Sequence, residues 1–176
     1  MTLGVLYVVV TGAGATRQVP TQLLPRAVER GWEVHVLATE QASRTFPEAM
    51  RQIEDVLGRP VRTGFHTTVG YSLPDPDGVV VAPASYNTIT KWALGIADTY
   101  VLTRLAEQVG RGVPIVATPC TSTRFAGHPT YAGSLATLKE WGVDVVIGPG
   151  EPHEPGDDAA DLPWDAILDA VKPAGA

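Results

Sequence analysis

The sequence predicts an α/β fold: a doubly wound, open parallel sheet of about six strands with helices on both faces. Three observations point there. Short Val-rich runs recur along the 176 residues, each run is followed by a segment with helical spacing, and the runs are apolar throughout, as strands buried on both faces are. At 44% apolar and 18% charged residues, the chain can bury a core of ordinary size, and its charge is too low for long disordered stretches.

The elements follow in order. Leu3–Val10 is the first strand, and Gly12–Gly14 turns the chain into a helix around Pro20–Arg30, with Leu23, Leu24, Ala27 and Val28 at helical spacing. Glu33–Ala38 is the second strand, and Phe46–Leu57 is a helix closed by Gly58. A short third strand is expected at Pro60–Phe65, and a fourth at Gly78–Ala82 after the Pro/Asp turn Leu73–Asp77. Helices are expected from Ser85 or Asn87 to about Gly95 and over Thr99–Gly110. Val113–Thr118 is the fifth strand, His128–Trp141 a helix, Val143–Ile147 the sixth strand, and Trp164–Val171 a closing helix. Residues 1–150 are expected to form the α/β domain. Residues 151–176 are expected to form an acidic, Pro/Gly-rich loop and a short helix packed on it.

Composition narrows the function classes. Residues 151–176 hold seven acids and one base, so the first 150 residues carry twelve of each and are net neutral. A neutral body offers no footprint for nucleic acid, and the acidic stretch reads as solvated. No apolar run approaches the roughly 20 residues of a membrane span. Met1–Val10 reads as a strand and not as a leader, so a cytoplasmic location is expected. The single cysteine, Cys120, excludes a disulfide framework and a Cys-rich metal centre, and no metal is expected.

Doubly wound sheets bind ligands at the carboxyl ends of their strands, so the strand exits carry the functional signal. The first exit holds Thr11, Gly12, Ala13, Gly14 and Thr16. Its glycines permit either a plain tight turn or close approach of backbone N–H groups to a phosphate. At the second exit, Thr39 offers a hydroxyl, whereas Glu40 suits a ribose diol and leaves an NAD(P)-dependent oxidoreductase open, although Arg17 stands where a dinucleotide fingerprint has its third glycine. The fourth exit is the most specific. Ala82 and Ala84 are small, Pro83 fixes the loop, and Ser85, Asn87 and Thr88 crowd a helix N-terminus with more polar groups than a cap needs.

The run Pro83-Ala84-Ser85-Tyr86-Asn87-Thr88, followed by Lys91 and Gly95-Ile96-Ala97-Asp98, resembles the PASANT motif of the homo-oligomeric flavin-containing cysteine decarboxylases. That family includes phosphopantothenoylcysteine decarboxylase and the peptidyl-cysteine decarboxylases of ribosomal peptide pathways. The motif departs only at Tyr86, where the family usually has Ala. The resemblance spans roughly Leu3–Ile147 and implies a Rossmann-like three-layer flavoprotein that binds FMN. By that likeness, Thr11, Gly12, Ala13 and Gly14 form the first flavin-phosphate loop and Thr39 the second-strand contact. Ala82, Pro83, Ala84, Ser85, Thr88 and Cys120 hold the flavin. Asn87 binds the substrate carboxylate, and His66, before the fourth strand, is the base. Where the family has a P-x-M-N-x-x-M-W loop, this chain keeps only Pro119; Thr121, Ser122, Arg124 and Phe125 then become the substrate-facing residues.

The resemblance also implies the chemistry. A C-terminal cysteine cannot lose CO₂ until its β-carbon is oxidised to a thioaldehyde, which accepts the electrons and becomes an enethiolate. No cysteine follows Ile147, whereas phosphopantothenoylcysteine decarboxylase uses one in a late flap. That absence favours an enethiol-forming enzyme acting on the C-terminal Cys of a precursor peptide, towards an aminovinyl-cysteine. Other roles on the same fold are a phosphopantothenoylcysteine decarboxylase, a flavin reductase, a prenyl-flavin synthase or a non-catalytic flavin binder. The family's trimers and dodecamers imply a homo-oligomer, for which Tyr86, Trp92 and Tyr100 are expected as exposed aromatics.

Overall fold

The computed structural model describes residues 2–65, 72–157 and 161–173. Five parallel strands are formed among them: β1 (Gly4–Val10), β2 (Trp32–Ala38), β3 (Gly78–Ala84), β4 (Ile115–Pro119) and β5 (Val143–Val145). Their order across the sheet is β2-β1-β3-β4-β5. All pairings are parallel, with Tyr7 opposite both His35 and Val79, and Val80 opposite Val116. The order reverses between β1 and β3, so the crevice above those two strand ends is the switch point of the sheet.

The apolar runs are explained by burial on both faces. Leu6, Val8, Val10, Val80 and Val116 face one core, together with Leu24 and Ala27 of α1 (Leu24–Glu29), Met50 and Ile53 of α3 (Pro47–Leu57), and Ile167 and Leu168 of α8 (Trp164–Ala170). Tyr7, Val9, Val79, Val81 and Ala117 face the other. There they meet Ile89 and Trp92 of α4 (Tyr86–Ala93), Leu102 and Leu105 of α5 (Tyr100–Arg111), and Leu138 of α7 (Pro129–Glu140). Trp92 and Tyr100, expected to be exposed, are 2% and 8% accessible and belong to this second core.

Three local readings change. Pro60–Phe65 pairs with the sheet at one residue only: Arg62 donates to the Val36 carbonyl (2.9 Å) and accepts from the Ala38 N–H (2.8 Å). Pro60 has no N–H to extend that ladder. The first crossover is not one helix. Gly14–Gln18 is a 3₁₀ turn, Val19–Leu23 is a π turn, and α1 follows. Pro20 and Pro25 remove two N–H donors, and the Leu24 N–H reaches back to the Val19 carbonyl instead. Two short helices, α2 (Glu40–Thr45) and α6 (Thr123–Ala126), are too brief to leave a periodic signal.

The acidic C-terminal stretch is only partly solvated. Trp164, Ile167 and Leu168 are buried. Asp165 and Asp169 sit 2.9 and 2.8 Å from the guanidinium of Arg30, which follows α1. Such exposed pairs are each worth at most about 1 kcal/mol, so apolar burial holds the helix down. Among the described residues, no helix is long and apolar enough to cross a membrane.

Candidate active site

A cleft of about 520 Å³ opens at the carboxyl ends of the strands. Its wall is built from four strand exits and the late loop: Gly12, Ala13 and Gly14 after β1; Thr39 and Gln41 after β2; Ser85, Tyr86, Asn87 and Thr88 after β3; Cys120, Thr121, Ser122 and Phe125 after β4; and His153. Residues more than a hundred positions apart are thus drawn together by the parallel sheet. Most of the residues singled out in the sequence are among them.

Their roles divide by burial. Thr11 is fully buried and does not face the cleft. Its hydroxyl donates to the Pro83 carbonyl (2.8 Å) and accepts from the Ser85 N–H (2.9 Å), strapping the β1 exit to the β3 exit. Ala82 and Ala84 are also fully buried and Pro83 is buried, so these three shape the wall from behind. The Ala84 carbonyl accepts from the Cys120 N–H at 2.9 Å, which fixes the β4 exit to the same frame. Gly12 passes close to α2: a Cβ there would lie 2.6 Å from Cγ of Gln41.

The helix N-termini present hydroxyls. Ser85 caps α4, with its Oγ accepting from the Thr88 N–H and donating to the Thr88 hydroxyl at 3.2 Å. Thr39 caps α2 by accepting from the Ala42 N–H at 3.1 Å. The α4 N-terminus therefore faces the crevice with hydroxyls and the amide of Asn87, where partial positive charge favours an anion. The Thr121 hydroxyl is buried in the wall and has no hydrogen-bond partner among the described residues.

Tyr86 alters the mouth. Its ring stacks on Phe125 (centroids 5.1 Å apart, planes at 22°), and its hydroxyl meets that of Thr130 at 3.1 Å. The ring covers space that alanine would leave open. Arg124 is exposed and does not line the cleft. Glu40 faces a neighbouring hollow and pairs with Arg44 at 3.2 Å, away from the Gly12–Gly14 turn. Asp98 pairs with Lys91 at 2.6 Å. His66 lies outside the described residues.

Sequence reasoning missed the late loop. Glu151, counted among solvated acids, has a side chain only 2% exposed. It accepts from the Thr121 N–H at 2.9 Å and meets Nδ1 of His153 at 2.9 Å. Cys120 Sγ lies close to both, the three donor atoms falling within 4.8 Å of one another. Burial, and then the nearby Glu151 carboxylate, push the Cys120 thiol up to about 11, so it stays protonated at neutral pH. The sequence offered one faint signal, an acid and a histidine two apart in a stretch otherwise poor in chemistry.

A curated relative, the coenzyme A biosynthesis bifunctional protein CoaBC of Thermococcus kodakarensis, is 33% identical over 132 residues, 71% of this chain and 32% of the relative. The chain thus spans about a third of that relative's length. Among solved structures, the FMN-dependent cysteine decarboxylase SpaF is 24% identical with a TM-score of 0.69, covering 94% of this chain and 95% of its own. A dodecameric FMN-dependent UbiX-like decarboxylase from Escherichia coli is 19% identical with a TM-score of 0.72, covering 94% and 92%. The cypemycin decarboxylase CypD is 21% identical with a TM-score of 0.66, covering 94% and 90%. The fold is the one these proteins share, and the match to the family's own pattern runs over residues 4–174: the chain belongs to the Flavoprotein family.

Proposed function

We propose that this protein binds FMN in the switch-point cleft and oxidatively decarboxylates a C-terminal cysteine of a peptide to an enethiol. The observation that carries the reading is the convergence of the PASANT-like run on the Gly12–Gly14 turn in one cleft. Sheets with this strand order bind ligands at the crevice between their first and third strands, as flavodoxin binds FMN. The residues present suit that group: a glycine turn for close backbone approach, hydroxyls at the α4 N-terminus, and the unpartnered Thr121 hydroxyl in the wall.

When bound, FMN supplies the two-electron oxidation that makes loss of CO₂ from the cysteine feasible. The chain's own residues position the substrate. Asn87, on the first turn of α4, offers its amide to the substrate carboxylate, and Ser122 and Phe125 flank the entrance. Tyr86 and Phe125 narrow the mouth, which suits an extended peptide terminus better than a bulky head group. The structures of the cysteine decarboxylase SpaF and the cypemycin decarboxylase CypD support this chemistry. The dodecameric relative supports a homo-oligomer.

A second reading, decarboxylation of phosphopantothenoylcysteine, is favoured by the CoaBC relative. One assay separates them. The purified protein is expected to absorb at roughly 450 nm and to convert a peptide ending in Cys with loss of CO₂ and two hydrogens. Conversion of phosphopantothenoylcysteine with the peptide left intact selects the second reading. A colourless protein that stays colourless with added FMN refutes both.

A further inference from the structure

The β4 exit and the late loop bring a thiol, a carboxylate and an imidazole together at the edge of the cleft. Cys120 Sγ, a carboxylate oxygen of Glu151 and a ring nitrogen of His153 all lie within 4.8 Å of one another, the one group of three such donors among the described residues. A single cysteine excludes a Cys-rich centre, but a site of mixed sulfur, oxygen and nitrogen ligands needs only one. The three residues are held from behind. The Cys120 N–H donates to the Ala84 carbonyl, and Glu151 Oε2 accepts from the Thr121 N–H, each at 2.9 Å. The His153 N–H donates to the Thr121 carbonyl (3.1 Å), and its carbonyl accepts from the Thr123 N–H (2.8 Å), which clips the late loop to the β4 exit as an isolated parallel bridge. Ligands that start in place lose little freedom on binding.

Charge and donor type select the ion. With the thiol ionised, thiolate and carboxylate carry two negative charges beside a neutral ring, which matches one divalent cation. The Glu151 side chain is 2% exposed, and a carboxylate so buried is costly unless a cation or hydrogen bonds compensate it. Magnesium and calcium take six or more oxygen ligands, and this group supplies one carboxylate. Thiolate with imidazole suits zinc, for which three protein ligands leave a fourth position open to water. Cys120 and His153 both line the cleft, so water can reach that position. Ligand atoms around tetrahedral zinc stand roughly 3–4 Å apart, so the widest pair here closes by about 1 Å, within reach of side-chain rotation.

We propose that Cys120, Glu151 and His153 form a binding site for Zn²⁺, with water as the fourth ligand, and that the ion fastens the late loop to the β4 exit. When it binds, the S–H bond of Cys120 breaks, its electron pair forms the sulfur–zinc bond, and the proton passes to solvent. The neutral imidazole binds through its bare nitrogen and keeps its proton on the other. One proton therefore leaves for each ion bound. The hydrogen bond from the Ala15 backbone to the sulfur favours the thiolate, and the Thr121 N–H on Oε2 orients the carboxylate.

The test uses the purified protein dialysed against EDTA. Co²⁺, a spectroscopic substitute for Zn²⁺, is expected to bind at about one ion per chain with a thiolate charge-transfer band, and Zn²⁺ to displace it. Calorimetric titration with Zn²⁺ in buffers of different ionisation enthalpy is expected to show about one proton released per ion. Cys120→Ser is expected to abolish the charge-transfer band and to weaken Zn²⁺ binding about a hundredfold or more, and His153→Gln to weaken it by a similar factor. Urea unfolding of each variant without metal separates lost binding from lost folding, and if Cys120→Ser does not fold, His153→Gln decides. No uptake of Zn²⁺ by the unaltered protein in excess metal, or an affinity unchanged in the folded variants, overturns the site. None of these readouts involves flavin. A protein that takes up Zn²⁺ but no FMN overturns the flavin reading alone, and one that holds FMN but takes up no Zn²⁺ overturns this site alone.

Discussion

Replacing Thr11 by valine separates a structural strap from a ligand contact. Valine keeps the shape of the side chain and removes the hydroxyl. Two groups then lose their partner, the buried Pro83 carbonyl and the part-buried Ser85 N–H, now bonded at 2.8 and 2.9 Å. Leaving one buried polar group unsatisfied costs about 1–3 kcal/mol, and two on the same strap cost about 2–4 kcal/mol after local relaxation. For a protein of this size, with a urea m-value of roughly 2 kcal/mol/M, the unfolding midpoint falls by about 1–2 M. The assay is urea unfolding of the flavin-free protein at fixed concentration, because self-association shifts apparent stability. Thr11→Ser keeps both hydrogen bonds and loses only a methyl group, so it is expected within about 1 kcal/mol of the original. If valine costs less than about 0.5 kcal/mol, or serine costs as much as valine, the strap is not what holds the two exits together.

Two further outcomes follow from the same structure. Cys120 titrates near 11 against an ordinary thiol value of 9.0, so its thiolate fraction at pH 8 is about a hundredfold lower. Alkylation by iodoacetamide is expected to be slower by at least that factor than in the urea-unfolded chain; equal rates would show an open, ordinary thiol. The sign is that of an acid held neutral: the folded chain keeps a proton that the unfolded chain loses above pH 9, so this group's contribution to stability falls as pH rises through the 9–11 window. Gly78→Ala would place a Cβ 2.8 Å from Cγ2 of Val171, packing the start of β3 against the C-terminal segment. It is expected to destabilise by about 1–3 kcal/mol in thermal or urea unfolding, and a neutral effect would mean that residues 161–173 are not anchored there.

The sheet was legible because its strands are buried on both faces and so are written as unbroken apolar runs. Val8-Val9-Val10 and Val79-Val80-Val81 admit no other reading next to a glycine turn. The site residues on strand exits were legible for the same reason, since a parallel sheet sends every exit to one end. What burial does to each of them was not. Thr11 and Ser85 are both hydroxyl residues at strand exits, yet the first is sealed inside a two-bond strap and the second lines the cleft. Periodicity says nothing about which way a turn presents its side chains. The edge at Pro60–Phe65 failed because an apolar fragment was credited as a strand although its proline cannot donate to the ladder.

Glu151 and His153 were hidden by composition. Seven acids in 26 residues read as one solvated stretch, and averaging treats them alike. The structure gives them different work: Asp165 and Asp169 pair with Arg30 at the surface, and Glu151 is drawn under the β4 exit by the Thr121 N–H. That difference shapes the chemistry of the cleft. Among the described residues, its wall carries no lysine or arginine, so an anionic ligand there must be held by backbone N–H groups, hydroxyls and the α4 N-terminus.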